Sequence, residues 1–325
     1  MDLLDDYLTG VRAAGAVFCQ SIAQPPWGIR FARPAPLVLG IPLRGEVWIS
    51  TQEPEPAQVP EGAVALIRRA AAFTVADTPQ TMPQVIVDGP DYYWTTADRA
   101  SADPHELALR PRTFGFDANG PDLFVTADFP LQGEVFSRLL DTLPTVAVVP
   151  SGHRTGPLLE VLSAEVDQEE PGQQVVLDRL LDLLLVRSLR AWFTREDVQP
   201  LPGYRALSDP AIGVALRRLH ESPGQPWTVA SLAAEARMSR AQFARRFTEL
   251  VGRPPLTYLT DWRMTLAVDL LRQPGATVAG VAHASGYADP FSFSVAFKRV
   301  RGVRPSELLN QRQTARPAAA PTGQA

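Results

Sequence analysis

Thr228-Val229-Ala230-Ser231-Leu232-Ala233, followed by Met238-Ser239-Arg240 and Phe243-Ala244-Arg245-Arg246-Phe247, is the stretch on which the fold of this chain turns. Its opening is answered 49 residues later by Thr277-Val278-Ala279-Gly280-Val281-Ala282. Phe243, Phe247, Gly252 and Pro255 are answered, at an offset of 50, by Phe293, Phe297, Gly302 and Pro305. Each copy reads as a short helix, a tight turn and a second helix, the layout in which the second helix lies in the DNA major groove. Two copies in one chain point to a protein that reads two adjacent stretches of one duplex.

In the first copy, Thr228 is placed to cap a helix through Arg237, and Ser239 to cap another from Arg240 to Val251. A short hydroxyl side chain accepts from the backbone N–H groups that a first turn leaves unpaired. Phe243, Phe247 and Leu250 recur at helical spacing and face a core. Arg240, Ala241, Gln242, Ala244, Arg245 and Thr248 are left on the exposed faces. Arg and Gln pair bidentately with guanine and adenine edges. A charged face on a short helix is otherwise only solvated, and the repeat favours the DNA reading.

In the second copy, Thr277 caps Val278 to Ser285, Gly286 supplies the turn, and Asp289 caps a helix with Pro290 at its first position. Phe293 and Phe297 point inward, and Ser292, Ser294 and Val295 point outward. Lys298, Arg299 and Arg301 follow, cations suited to gripping phosphate. Val295 can offer only an apolar contact to a thymine methyl. Between the copies, Pro254 to Gln273 reads as one helix carrying Leu256, Leu259, Trp262, Leu266, Val268, Leu270 and Leu271, ended by Pro274-Gly275. Such a spacer can hold two reading helices one DNA turn apart, roughly 34 Å.

A net charge of -4 suits a DNA binder only once it is divided. Residues 1–208 hold 16 Arg against 27 acidic residues, net -11, whereas residues 209–325 hold 15 basic against 8 acidic, net +7. An acidic front on a basic rear is expected when one part alone meets phosphate. Of the 31 basic residues only Lys298 is not Arg. The single cysteine, Cys19, excludes an intramolecular disulfide and a multi-cysteine zinc site. The opening Met1-Asp2-Leu3-Leu4-Asp5-Asp6 lacks the basic region of a signal peptide, and no uncharged apolar run reaches the ~18 residues of a membrane span. A cytoplasmic location is therefore expected.

Residues 209–312 resemble the DNA-binding domain of the AraC family of bacterial transcription regulators. The resemblance runs from Ser231-Leu232-Ala233 through the residues quoted above, then Gly252-Arg253-Pro254-Pro255. It continues in Gly286-Tyr287-Ala288-Asp289, Phe293-Ser294, Phe297-Lys298-Arg299 and Gly302-Val303-Arg304-Pro305. It covers the rear third of the chain. Where Val295 stands, that family usually places a polar or basic residue. The DNA-binding set so implied is Thr228, Ser239, Arg240, Gln242, Arg245, Arg246, Thr277, Ser292, Ser294, Val295, Lys298 and Arg299.

From residue 25 to residue 170 the chain consists of short apolar runs between Pro and Gly, such as Val47-Trp48-Ile49, Ala63-Val64-Ala65-Leu66-Ile67 and Val85-Ile86-Val87. These read as strands of a sandwich or barrel, and the resemblance implies a cupin-like β-barrel. The fold class expected is α+β: a β-barrel followed by an all-α domain with two helix-turn-helix units. The place where a metal-binding cupin shows His-x-His holds Leu39-Gly40-Ile41-Pro42-Leu43, and His105, His153, His220 and His283 lack ligand spacing. No metal or other cofactor is expected. Trp27, Arg30, Trp48, Tyr92, Tyr93 and Trp94 are the candidates to line a ligand pocket, though aromatic residues in a β domain are as readily core. No Ser-His-Asp order, phosphate loop or Cys-x-x-Cys suggests catalysis. A non-metal cupin enzyme tethered to a DNA-binding module is the competing reading.

Residues 3–18 look like a short amphipathic helix. Gln173 to Phe193 is helical and apolar nearly all round at Leu180 to Val186, so one side is expected to form a dimer seam that includes Leu180 and Leu184. The boundaries expected are residues 1–172 for the sensor, 173–208 for the dimer helix and linker, 209–312 for DNA binding and 313–325 for a disordered tail. The partners expected are double-stranded DNA, a second copy of the chain, RNA polymerase and an unidentified small-molecule effector, with no membrane.

Overall fold

The computed structural model describes residues 17–70, 72–88, 91–94, 107–110, 113–115, 118–129, 133–152, 155–166, 168, 170–195, 204–207 and 209–314. The chain divides into two compact units, one of residues 10–132 with 139–199 and one holding 200–325 together with 133–138. The expected helix at 3–18 lies outside the described residues except for Val17 and Phe18, which open a strand, and the expected disordered tail lies outside them from 315 onward.

The first unit carries two sheets. One contains β1 (Val17–Ala23), β3 (Ala35–Arg44), β6 (Val64–Ala70), β10 (Ala108–Arg110), β11 (Thr113–Gly115), β12 (Asp122–Phe129) and β13 (Val146–Val149), in the order β10-β11-β1-β12-β3-β6-β13. The other contains β2 (Gly28–Phe31), β4 (Val47–Ser50), β5 (Ala57–Val59), β7 (Phe73–Ala76), β8 (Val85–Asp88) and β9 (Asp91–Trp94), in the order β5-β4-β7-β2-β8-β9. Most neighbours are antiparallel, but β1 runs parallel to β11 and β2 parallel to β8. Strand alternation sends Val38, Phe124, Ile29, Phe31, Ile49, Phe73 and Val75 into one buried core.

Among the described residues the expected barrel is not what forms: the two sheets are not closed on each other. The edge at β5 shows a physical reason. That strand has three residues, bracketed by Pro56 and Pro60, and a proline has no N–H with which to extend a ladder.

Helices α2 (Gly156–Val166) and α3 (Gln173–Phe193) pack on each other, and α3 also contacts β13. The helix α3 begins and ends where its apolar periodicity predicts. Its buried face is Leu177, Leu181, Leu184, Leu185, Ser188, Leu189, Trp192 and Phe193. Leu184 thus belongs to the core of this unit rather than to an outer seam, because it falls two helical turns after Leu177 on the same face. The apolar residues left outside are Val175, Val176 and Leu183, with Leu180 half-buried.

One ionisable group stands out in the sheets. Asp128 of β12 pairs with Val17 and Val38, and burial pushes its carboxyl up to about 6 while Arg33 pulls the other way. A raised acid contributes stability while protonated, present below its unfolded value and lost as pH rises through about 6. Asp128→Asn should therefore stabilise the protein at pH 7.5 by up to about 3 kcal/mol and flatten the fall in Tm between pH 4 and about 6. Thermal melts across that range check it; an unchanged pH profile would refute the assignment.

The second unit is helical: α1 (Glu134–Leu140, of which residues 134–138 fall in this unit), α4 (Tyr204–Leu207), α5 (Ile212–Glu221), α6 (Val229–Glu235), α7 (Arg240–Val251), α8 (Pro255–Arg272), α9 (Val278–Ala284), α10 (Pro290–Arg301) and α11 (Pro305–Thr314). It has two cores. Ile212, Leu216, Leu219, Leu232, Phe243, Phe247 and Leu259 form the first, and Met264, Ala267, Val268, Leu271, Val281, Phe293 and Phe297 form the second. The long helix α8 serves both, Leu259 in its first half and Met264 to Leu271 in its second. Its 18 residues span roughly 27 Å.

Residues 133–138 fall by sequence within the front domain, yet they pack in this unit. Asp269 of α8 accepts from the backbone N–H groups of Glu134 and Val135, at 2.7 and 3.2 Å. Arg138 makes a two-pronged bridge to Asp261, both arms 2.9 Å.

Candidate nucleic-acid interface

The two helix-turn-helix units are built by the same local rules. Thr228 accepts from the N–H of Ser231, and Thr277 from that of Gly280, each at 3.0 Å. Ser239 and Asp289 cap the second helices by accepting from Gln242 and Ser292, at 3.3 and 2.9 Å. The caps expected at these four positions are all present; each contributes about 1 kcal/mol of helix stability. Both second helices end on a left-handed glycine, Gly252 and Gly302. In both turns an N–H reaches back to a first-helix carbonyl, Met238 to Ala233 and Tyr287 to Ala282, each at 2.9 Å.

The turns differ at one residue. Gly286 sits at φ 77°, where an added Cβ would collide with the carbonyl of Gly224. Its counterpart Arg237 adopts φ 53°, left-handed without being glycine. The loop beside Gly286 is pinned by Arg263 of α8, which donates to the carbonyls of Pro223 and Gln225, both at 2.6 Å.

On α7, Phe243 and Phe247 are fully buried with ring centroids 5.6 Å apart. With about 100° of turn per residue, Ala241, Arg245 and Thr248 therefore occupy the opposite face. Arg240, Gln242 and Arg245 are exposed there or beside it, and Arg245 makes a solvated ion pair with Glu249 at 3.7 Å. Arg246 lies differently. Its guanidinium donates twice to Asp209, at 3.0 and 3.2 Å, and Asp209 also accepts from the N–H groups of Ala211 and Ile212. The Ile212 hydrogen bond and the Arg246 pairing outweigh desolvation and hold the Asp209 carboxyl below its ordinary range. In this arrangement Arg246 anchors α7 to the start of α5.

On α10 the same geometry recurs, with Phe293 and Phe297 buried 5.6 Å apart. Ser292, Ser294, Val295, Lys298 and Arg299 lie outside the core, while the Ser294 hydroxyl donates back to the Pro290 carbonyl at 2.7 Å. Arg301, expected to grip phosphate, is turned inward. It is 14% exposed, bound to Glu134 at 2.7 Å and to the Thr265 hydroxyl at 2.9 Å. Nearby, burial raises the Asp261 carboxyl, but Arg138, with Arg253 and Arg301, more than reverses this and holds it low. The Glu134 and Arg138 contacts had no sequence signal beyond the helical spacing of residues 134–140.

Of the front-domain candidates whose side chains are described, Trp27, Arg30 and Trp48 do not converge. Trp27 is core, 1% exposed, its indole N–H donating to Asp122 at 2.7 Å. Arg30 is exposed and Trp48 half-buried, each alternating with core neighbours and so on the outer side of its strand. The side chains of Tyr92, Tyr93 and Trp94 lie outside the described residues, though their strand pairs with β8. An open cleft of about 600 Å³ lies elsewhere, lined by residues that include Leu43, Glu61, Ser151, Leu159, Glu160 and Ser163. The inner face of β3 offers Val38 and Gly40, neither a metal donor, so a cupin metal does not fit there.

A duplicated, capped helix-turn-helix whose first copy carries Arg and Gln on its outer face defines the class: a DNA-binding regulator. Comparison with known proteins agrees. Residues 2–194 match the cupin family model and residues 232–311 the helix-turn-helix domain model. A putative AraC-like transcription regulator of Streptomyces lividans is 31% identical over 94% of this chain and 97% of its own length. The HTH-type transcriptional regulator AlkR of Acinetobacter baylyi is 27% identical over 96% of this chain and 100% of its own. A crystal structure of the DNA-binding domain of AdpA with a target DNA is 33% identical over 34% of this chain and 99% of that one, with a TM-score of 0.31. The chain belongs to the AraC-type family of transcription regulators, and it is a DNA-binding transcriptional regulator with a cupin-like front domain.

Proposed function

We propose that this regulator is sequence-specific, that its first reading helix α7 supplies the hydrogen-bonding base contacts, and that a small molecule held by the front domain controls it. The observation that carries the first part is Arg245, which faces away from the α7 core and holds only a solvated contact to Glu249 among the described residues. Thr228 and Thr277 open the helices that cross the DNA backbone, and Lys298 and Arg299 serve phosphate. Arg245→Ala should cost about 1–3 kcal/mol at one base pair of the first half-site and relax the preference there. Lys298→Ala should weaken all sequences evenly. Affinities on a panel of single-base variants check this, and equal, sequence-blind losses for both variants would remove α7 as the reader.

On the same reading the protein is a cytoplasmic homodimer that contacts RNA polymerase and performs no catalysis of its own. Among the described residues no helix is long and apolar enough to cross a membrane. The outer strip of α3, Val176, Leu180 and Leu183, supports the dimer, since its spacing of four and three residues makes one continuous apolar stripe. Val176→Glu with Leu183→Glu should yield a folded monomer that binds single sites but not paired sites cooperatively. Sedimentation decides: a folded double variant that still runs as a dimer rules out the seam.

A further inference from the structure

The two reading helices have the same length, the same kind of cap and the same glycine end, so the offset of 50 aligns their outer faces residue by residue. Where α7 presents Ala241, Arg245 and Thr248, α10 presents Phe291, Val295 and Lys298. Phe291 is 77% exposed and Val295 56% exposed. They are one helical turn apart and opposite the buried Phe293 and Phe297, so they form a single apolar patch on the side away from the core. A phenyl ring left this open forgoes the favourable free energy of leaving water, and no described residue of its own unit covers it.

The Ser294 hydroxyl donates to the Pro290 carbonyl and the Ser292 N–H to the Asp289 carboxylate, and residues 290–297 include no Arg, Lys, Asn or Gln to pair bidentately with a base edge. In the major groove the one apolar group on a base edge is the thymine 5-methyl. Lys298 and Arg299, in the last turn, pair with no carboxylate among the described residues and have the charge to hold the helix against phosphates.

We propose that α10 recognises thymine methyl groups through Phe291 and Val295, so that the second half-site is read by shape and methyl contact rather than by hydrogen bonds; this rests on α10 being a reading helix. The two side chains stand about 6 Å apart along the helix axis, against about 3.4 Å per base-pair step. They therefore reach two thymines within about three successive base pairs.

Replacing thymine by deoxyuridine removes the methyl and leaves pairing unchanged. With the full chain and the duplex it protects in footprinting, deoxyuridine in the second half-site should weaken binding about fourfold per contacted methyl, equivalent to ~0.8 kcal/mol each. Phe291→Ala with Val295→Ala should bind thymine and deoxyuridine duplexes alike while keeping the salt dependence of the wild type. Both positions are exposed, so folding is not at risk. Wild-type protein that is blind to deoxyuridine in the second half-site overturns the proposal. So does a double variant that keeps full discrimination, or one that loses transcription but no DNA affinity, which would assign the patch to a protein partner. Arg245→Ala, run on the same duplexes, separates the two levels. If it alters first-site preference while the second site stays methyl-blind, only this inference fails; if no variant alters any preference, the reading-helix assignment fails with it.

Discussion

Raising salt from about 50 to about 200 mM should weaken binding of the full chain to its DNA by about 500-fold, the loss expected when about five phosphate contacts release counterions at a slope of about −0.9 each. The cations open to phosphate and not assigned to a base edge are Arg237 and Arg240 in the first unit, and Lys298, Arg299 and Arg304 in the second. Arg246, Arg253, Arg263 and Arg301 are engaged by Asp209, Asp261, backbone carbonyls and Glu134 respectively, and should contribute little. The count matters because the rear portion's net +7 overstates what DNA can use. Titrations over a salt series give the slope directly. A slope near zero, or equal affinity in the isolated acidic front portion, would show that these residues do not bind phosphate.

Phe293→Ala should destabilise the helical unit by about 3–5 kcal/mol, the cost of a large cavity in a packed core. Phe293 is fully buried, with Phe297 and Tyr287 each 5.6 Å away between ring centroids. A domain holds only about 5–15 kcal/mol in all, so this one change removes a large share of it. The two cores share α8, and each loses packing when the other melts. Denaturant unfolding should therefore show one transition at a lower midpoint. A loss below about 1 kcal/mol, far short of the usual cost of such a truncation, or two separated transitions in the variant, would contradict the shared-helix coupling.

The helical unit was legible because its signals are local. Thr228, Ser239, Thr277 and Asp289 cap within three residues of themselves, and the Phe243–Phe247 and Phe293–Phe297 pairs are set by the period of one helix. The front domain was legible only as strands. Whether those strands close into a barrel depends on which edges meet, and Pro56 and Pro60 act on an edge whose position no local pattern reveals. Trp27 was misread for a related reason, since an indole has the same composition signal in a pocket as in a core.

What the sequence determined by itself is the double helix-turn-helix, its caps, the spacer helix and the family, because each rests on contacts a few residues apart. Tertiary structure decided which charges remain for DNA. Arg246 and Arg301 look as available in sequence as Arg245 and Arg299, but Asp209 lies 37 residues from the one and Glu134 lies 167 residues from the other. It decided also that Leu184 is core while Leu183 is not, and that Phe291 stands open to solvent. Pairings over such separations follow from how whole elements pack, and no periodicity within a single helix encodes them.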